Sequence, residues 1–256
     1  MPSYSATLSS ILDREPQPPG GITTADVDYD VSGTACAGFL ALPAGDGPAP
    51  GVLVVHDWLG VGDYVRMRCE MLARLGYVAF AGDIYGADTR PGPADAAAVA
   101  GGFYGDKALF RTRLTGAFDR LLAEDRVDAT RTAAIGYCFG GSGVLELART
   151  GADVSGVVSF HGGLQPGPEG EAQAIRAKIL IQTGAIDPVV PDDAVVAIEN
   201  EFRAAPDLDW QLTAYSGAMH AFTQPDANSP DYGAQYNASA ERRSWQAMKG
   251  FFAELF

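Results

Sequence analysis

The segment from residue 133 to residue 143 constrains the fold of this chain more strongly than any other. An apolar, β-like run ends in Gly-Tyr-Cys-Phe-Gly-Gly at residues 136–141 and passes directly into helix-compatible sequence. Glycines on both sides of Cys138 permit a sharp strand-to-helix turn because they carry no Cβ. The pattern predicts a nucleophile elbow with cysteine in place of the commoner serine. Such an elbow holds the sulfur at the positive end of a helix, where a thiolate is favoured.

A carboxylate and a histidine follow the cysteine at the ends of further β-like runs. Asp187 comes after the run at residues 178–183, and His220 lies in a loop after the run at residues 209–215. The order nucleophile, acid, histidine is one of the known orders of catalytic triads. The sequence therefore predicts a triad in which Cys138 is the nucleophile, His220 the base and Asp187 the group that orients the imidazole.

The two other histidines also end β-like runs. His56 follows the run at residues 52–55, and His161 follows the run at residues 157–160. Ligands of open α/β sheets bind at the carboxyl ends of strands, so both side chains are expected near the pocket. Either could be the base in a rival assignment, but neither fits the chain order. We interpret His56 as a supporting residue and His161 as pocket lining.

Attack on a carbonyl also requires donors for the developing oxyanion. The backbone N–H of Phe139 is the first candidate, and the N–H of Trp58, in the loop after the strand that ends near His56, is the second. Asp57 has two interpretations. Its carboxylate could stabilise the neutral thiol of the cysteine or pair with the imidazolium, or it could cap the next turn.

Composition excludes several classes of function. The 256 residues carry a formal net charge of −14, and no cluster of Lys and Arg suits nucleic acid or an anionic membrane surface. No apolar run approaches the roughly 18 residues of a membrane helix, and residues 1–19 do not resemble a secretory signal. We expect a cytoplasmic protein.

The cysteines indicate neither a disulfide framework nor a metal site. Three cysteines are widely spaced, and no pair has the Cys-x-x-Cys spacing of a redox or zinc site. We interpret Cys36 and Cys69 as buried, inert apolar residues. No metal or cofactor is expected.

β-like and helix-like segments alternate along the chain. Residues 1–20 predict an N-terminal arm or short helix with a linker, and residues 21–256 predict a single domain. Strands are expected at 27–31, 36–42, 52–56, 77–81, up to the elbow, 156–160, 178–183 and 209–215, and helices at 63–75, 94–100, 107–123, after the elbow, after 191 and at 238–256. This alternation predicts the α/β class, with a mostly parallel sheet covered by helices on both faces. The segment at 94–104 is either a lid or a crossover helix.

From about residue 27 onward the chain resembles the dienelactone hydrolase family. The likeness rests on the motif at residues 136–141, the Asp187-Pro188 turn, the His220 loop and the strand end at residues 83–85. It implies an eight-stranded α/β-hydrolase fold, the triad named above and an oxyanion hole from the Trp58 and Phe139 amides. Tyr85, at that strand end, is expected to support the pocket.

Three positions depart from the family pattern. Asp57 stands where the family has a glutamate that holds the resting cysteine as a thiol. Family members that act on dienelactones hold the substrate carboxylate with two arginines, and this chain has Gly86-Ala87 and Gln224 at those places. Arg90 is near the first place in sequence but does not align with it. Without a bidentate charge pair, a more neutral ester or lactone is the expected small-molecule substrate.

Three functions are therefore hypotheses. The first is hydrolysis of a carboxylic ester or lactone through a thioester on Cys138. The second is hydrolysis of a phosphotriester by the same groups, and the third is a hydrolase-like fold used only for binding. We expect the protein to be a monomer or a homodimer.

Overall fold

The computed structural model describes residues 4–256. The strands are β1 Thr23–Val31, β2 Thr34–Leu42, β3 Ala49–Val55, β4 Val78–Gly82, β5 Val127–Tyr137, β6 Gly156–Phe160, β7 Lys178–Gly184, β8 Trp210–Tyr215, β9 Asn228–Ser229 and β10 Ala234–Gln235. The helices are α1 Ala6–Leu12, α2 Asp63–Arg74, α3 Ala96–Gly105, α4 Lys107–Leu122, α5 Phe139–Arg149, α6 Asp192–Arg203 and α7 Ala238–Leu255, with single 3₁₀ turns at Glu171–Ala174 and Pro230–Tyr232.

The predicted eight-stranded sheet is confirmed. Its strand order is β1-β2-β4-β3-β5-β6-β7-β8, and β9 and β10 form a separate two-stranded ladder. β1 pairs with β2, and β2 with β4, in antiparallel register. β3 pairs with β4, β6 with β7, and β7 with β8 in parallel register. The chain divides into two compact units, one up to Ala134 and one from Ile135 to Phe256.

In the first unit, helices cover both faces of the strands. Phe39 on β2 pairs with Ala81 on β4, so Phe80 points to the opposite face. Arg66 of α2 lies over the Phe39 ring, and Arg120 of α4 lies over the Phe80 ring, at 4.9 and 5.7 Å from the centroids. α2 and α4 therefore pack on opposite faces, as the alternating pattern predicts.

The second unit repeats this arrangement around β6, whose five residues are all buried. A Cβ on Gly156 would meet Leu255 and Phe251, which belong to α7 and its last turn. Ser159, three residues later and on the other face, lies against Gly141 of α5. Burial on both faces explains why β6 reads as a continuous apolar run.

The N-terminal segment is a docked helix. α1 buries Leu8, Ile11 and Leu12, and Arg74 of α2 donates hydrogen bonds to the carbonyls of Leu12 and Glu15 at 3.1 and 2.8 Å. The first three residues of the predicted arm lie outside the described residues. The single domain predicted for residues 21–256 stays a prediction. Among residues 4–256, no helix is both long and apolar enough to cross a membrane.

Candidate active site

Cys138 occupies the predicted elbow between β5 and α5. Its backbone is left-handed, with φ 53° and ψ −111°, a conformation that costs a non-glycine residue about 1–3 kcal/mol. The Cys138 N–H donates to the Phe160 carbonyl at 3.0 Å, and the Ser142 N–H donates to the Cys138 carbonyl at 3.2 Å. A Cβ on Gly136 would collide with the carbonyl oxygen of Gly140. The turn is therefore as tight as the glycine pattern predicts.

Close packing of α5 makes Gly141 intolerant of a side chain. A Cβ there would lie 2.7 Å from the Cα and 2.9 Å from the N of Gly162, which are backbone atoms that cannot move aside cheaply. We expect Gly141→Ala to lower the free energy of unfolding by about 1–3 kcal/mol, measured by urea denaturation. Gly101→Ala is the control, because Gly101 lies on an exposed part of α3 with no atom within 4 Å of its Cβ position. It should raise that free energy by about 0.5–1 kcal/mol, and equal effects at the two sites would contradict the packing argument.

The imidazole of His220 joins the sulfur to the carboxylate. His220 Nε2 lies 3.1 Å from Cys138 Sγ, and His220 Nδ1 lies 2.9 Å from Asp187 Oδ2. The Asp187 side chain is fully buried, and that of His220 is 10% exposed. The structure therefore brings together the three residues predicted as a triad, in hydrogen-bonding order and within the second unit.

The Asp187 carboxylate is held by its own turn. Its Oδ1 accepts the N–H groups of Val189 and Val190 at 2.8 and 3.2 Å. Oδ2 is the oxygen that faces His220. The turn after β7 thus fixes both the position and the rotation of the carboxylate.

The backbone of His220 is held by a short segment that the sequence analysis missed. The His220 N–H donates to the Gly233 carbonyl at 2.9 Å, and the Gln235 N–H donates to the His220 carbonyl at 3.0 Å. β9 and β10 have two residues each, too few to produce a period-2 pattern. The Pro, Gly and Asn content of residues 225–237 is typical of a loop, so no sequence signal was available.

The surroundings of His220 favour its protonated form. Burial is the largest influence and by itself lowers the pKa of the imidazole. Hydrogen bonds to Asp187 and Cys138, together with their charges, outweigh burial and raise the pKa of His220 to about 10. The raised pKa favours an imidazolium between the carboxylate and the sulfur, and such a cation stabilises a neighbouring cysteine thiolate.

His161 is buried beside the triad histidine. Its Nε2 lies 2.7 Å from Thr223 Oγ1, and its ring meets that of His220 edge to face at 5.4 Å. The contacts to both the sulfur and Asp187 are made by His220. The imidazole that lies between the sulfur and the carboxylate is that of His220, and the His161 ring lies beside it.

In the first unit, His56 is a neutral structural imidazole. The Ile84 N–H donates to its Nε2 at 3.2 Å, so Nδ1 carries the proton and donates to the Asp57 carbonyl. Complete burial lowers the pKa of His56 to about 4. The ring thereby joins the ends of β3 and β4, in line with a supporting role.

Tyr85 and Asp57 shape the loop that contains Trp58. The Tyr85 hydroxyl donates to the Trp58 carbonyl at 3.1 Å, and the Tyr85 ring lies 4.6 Å from the His56 ring. Asp57 Oδ1 accepts the Leu59 N–H at 2.7 Å. This contact corresponds to the turn-capping interpretation of Asp57.

Arg90 is committed to a buried carboxylate. Its guanidinium contacts both oxygens of Asp83 at 3.3 and 3.0 Å. It also donates to the carbonyls of Gly86, Thr89 and Ala37. Because Asp83 is fully buried, removing its partner is expected to be costly. Arg90 therefore serves the fold of the first unit.

Metal-binding geometry is not found in the part of the chain that the structure describes, where no three His, Cys, Asp or Glu side chains group as ligands.

Comparisons with known proteins identify a family model and several proteins that resemble this chain. The model of the dienelactone hydrolase family matches residues 36–256. A dienelactone hydrolase-like promiscuous phosphotriesterase from metagenomic libraries has a TM-score of 0.88 at 42% identity, covering 92% of this chain and 99% of that chain. A Salmonella typhimurium protein, provisionally named a carboxymethylenebutenolidase, is 26% identical over 261 residues, which cover 93% of this chain and 89% of that protein.

A further similar structure comes from Klebsiella pneumoniae. A protein of that organism, provisionally named a dienelactone hydrolase, has a TM-score of 0.74 at 25% identity, with 91% of this chain and 99% of that chain covered. The predicted α/β-hydrolase fold is confirmed. The chain belongs to the dienelactone hydrolase family, and it is a hydrolase that acts on ester or lactone bonds.

Proposed function

We propose that this protein hydrolyses neutral carboxylic esters or lactones through a thioester on Cys138. The observation that carries the proposal is the continuous hydrogen-bonded line from Cys138 Sγ through His220 to Asp187, at 3.1 and 2.9 Å. Such a line is what activates a weak nucleophile and returns a proton to the leaving group.

The reaction has two balanced halves. The Cys138 thiolate adds to the carbonyl carbon, the imidazolium of His220 gives its proton to the departing alkoxide, and the C–O bond breaks to leave a thioester. Neutral His220 then takes a proton from water, the hydroxide adds to the thioester, and the C–S bond breaks. Asp187 keeps the imidazole in one orientation through both halves.

The developing oxyanion requires two donors. Phe139 is the first residue of α5, where the helix dipole favours negative charge. We assign it the first donor role. The Trp58 amide, in the loop held by Tyr85, remains the predicted second donor.

The preference for a neutral substrate follows from the lack of an available arginine to bind a substrate carboxylate. Gly86-Ala87 and Gln224 replace the arginines that would hold a substrate carboxylate. Arg90, the nearby guanidinium, is already bound to both oxygens of Asp83. A substrate carboxylate would have to displace a buried ion pair, which is unfavourable.

A matched pair of esters tests this proposal. We expect p-nitrophenyl butyrate to be hydrolysed with kcat/KM about tenfold or more above that of mono-p-nitrophenyl succinate, whose acyl chain ends in a carboxylate. Mass spectrometry of the quenched reaction should locate the butyryl group on the peptide containing Cys138. An adduct on another residue would exclude the thioester route, and equal rates would exclude the neutral preference.

A second candidate reaction is phosphotriester hydrolysis. It is favoured by the likeness, at 42% identity, to a protein described as a promiscuous phosphotriesterase. The thiolate would displace an aryloxide from phosphorus, and water would then cleave the S–P bond. Diethyl p-nitrophenyl phosphate is the probe. Nitrophenol release that Cys138→Ala abolishes supports this reaction, whereas release that persists in that variant excludes the route through the Cys138 sulfur.

Membership of a hydrolase family leaves the binding-only hypothesis without support.

A further inference from the structure

We propose that His161 and Thr223 form a clasp that positions the loop of His220 against the nucleophile elbow. The inference rests on the proposed function for its kinetic consequence, and on contacts within the second unit for its geometry. His161 is a positioning residue, since the contacts that define it are made to β7 and to the His220 loop.

The clasp begins at the strand end that holds the elbow. The Phe160 carbonyl accepts the Cys138 N–H at 3.0 Å, and the next residue, His161, donates its N–H to the Gln182 carbonyl at 2.8 Å. The backbone of His161 is therefore fixed to β7, directly beside the bond that fixes the nucleophile.

The side chain of His161 then reaches the loop of the base. Its Nε2 contacts Thr223 Oγ1 at 2.7 Å, three residues after His220. Its ring meets the rings of His220 and Phe222 edge to face at 5.4 and 5.1 Å. His161 and Thr223 are 0% and 1% exposed, so their hydrogen bond does not compete with water.

Backbone strain shows that this loop needs support. His161 has φ 41°, and Ala221, next to His220, has φ 54°. Non-glycine residues keep such left-handed conformations only where surrounding contacts impose them. The clasp joins the two strained positions, so it is placed to hold the His220 ring at its observed distance from the sulfur.

The kinetic consequence follows from the role of His220 in both half-reactions. A misplaced imidazole slows acylation and deacylation together, and a displacement of 1 Å in a catalytic group costs about 10²-fold in rate. When both steps slow by the same factor, kcat falls and KM is unchanged. A residue that only lined the pocket would instead alter KM.

The test compares Thr223→Val, which removes the hydroxyl with little change in shape, with Thr223→Ser, which keeps it. We expect Thr223→Val to lower kcat for p-nitrophenyl butyrate about tenfold with KM within about twofold of wild type, and Thr223→Ser to restore most of kcat. A Thr223→Val enzyme with wild-type kcat, or a loss confined to KM, would overturn the clasp while leaving the thioester mechanism intact.

A second measurement does not depend on turnover. The chain has three histidines, so ¹⁵N-histidine NMR of the folded protein gives three resolvable imidazole spin systems. Thr223→Val should shift the ring signals of His161 and His220 and leave those of His56 in place. Unchanged His220 signals would overturn the inference, even in a protein with no esterase activity. If the proposed function alone fails, Thr223→Val still shifts the His220 signals, but the wild-type protein does not turn over the ester.

Discussion

Replacing Cys138 with alanine is expected to lower kcat/KM for p-nitrophenyl butyrate by about 10⁴-fold or more. Alanine removes the sulfur on which the thioester is proposed to form and leaves His220 Nε2 without its partner at 3.1 Å. The fold should persist, because alanine can adopt the same backbone conformation at the elbow and the substitution removes only one side-chain atom. Initial rates of nitrophenol release and a urea melt of the same preparation measure the two effects.

Two controls separate loss of the nucleophile from loss of a thiol in general. Cys69→Ala removes a thiol that is fully buried and whose pKa is raised by that burial, so it should keep esterase activity. In the wild type, iodoacetamide should label Cys138 and spare Cys69. An active Cys138→Ala protein, or inactivation that tracks labelling of Cys69, would be incompatible with the mechanism.

Asp187→Asn is expected to lower kcat by about 10³–10⁴-fold, with little change in KM. The carboxamide retains the shape of the side chain, and its oxygen can still accept from Val189. Its NH₂ group would then face Nδ1 of His220, and two donors cannot share one hydrogen bond. The imidazole would be driven to the tautomer with the proton on Nε2, which cannot accept a proton from Cys138 or from water.

The matched control for this substitution is Asp192→Asn. Asp192 is an exposed acid in the first turn of α6, five residues after Asp187, and its change alters net charge by the same amount. It should leave kcat within about twofold of wild type. A comparable loss in the two variants would indicate a general charge effect, and a wild-type rate in Asp187→Asn would remove the carboxylate from the mechanism.

Local patterns predicted the candidate site better than they predicted the edges of the fold. Cys138 and Asp187 follow the buried ends of β5 and β7, and His220 lies in the loop after the partly exposed β8. Because ligands of open α/β sheets bind at the carboxyl ends of the strands, the meeting of these residues could be predicted from chain order. β1 begins at Thr23, four residues before the predicted start. Residues 23–26 lack an apolar alternation, and pairing with β2 from Thr23 to Val31 determines the length of β1.

Helix α3 and the support of His220 were harder to predict for a different reason. α3 continues through Gly101 and Gly102 to Gly105, although glycine has low helix propensity, so the prediction stopped at residue 100. The Gly233 carbonyl accepts the His220 N–H, and the Thr223 hydroxyl, in the same loop as His220, contacts His161; both are tertiary hydrogen bonds. Such contacts leave no periodic trace in the sequence.

The left-handed residues at the site have a consequence for how this protein can change over generations. Cys138, His161 and Ala221 each hold a conformation that glycine would adopt at lower cost, and the first two cannot become glycine without losing a functional group. Selection for thermal tolerance alone would therefore favour glycine at Cys138 and His161, where that substitution would impair turnover. Lineages that keep the chemistry must find their extra stability elsewhere, for example at exposed helical positions such as Gly101.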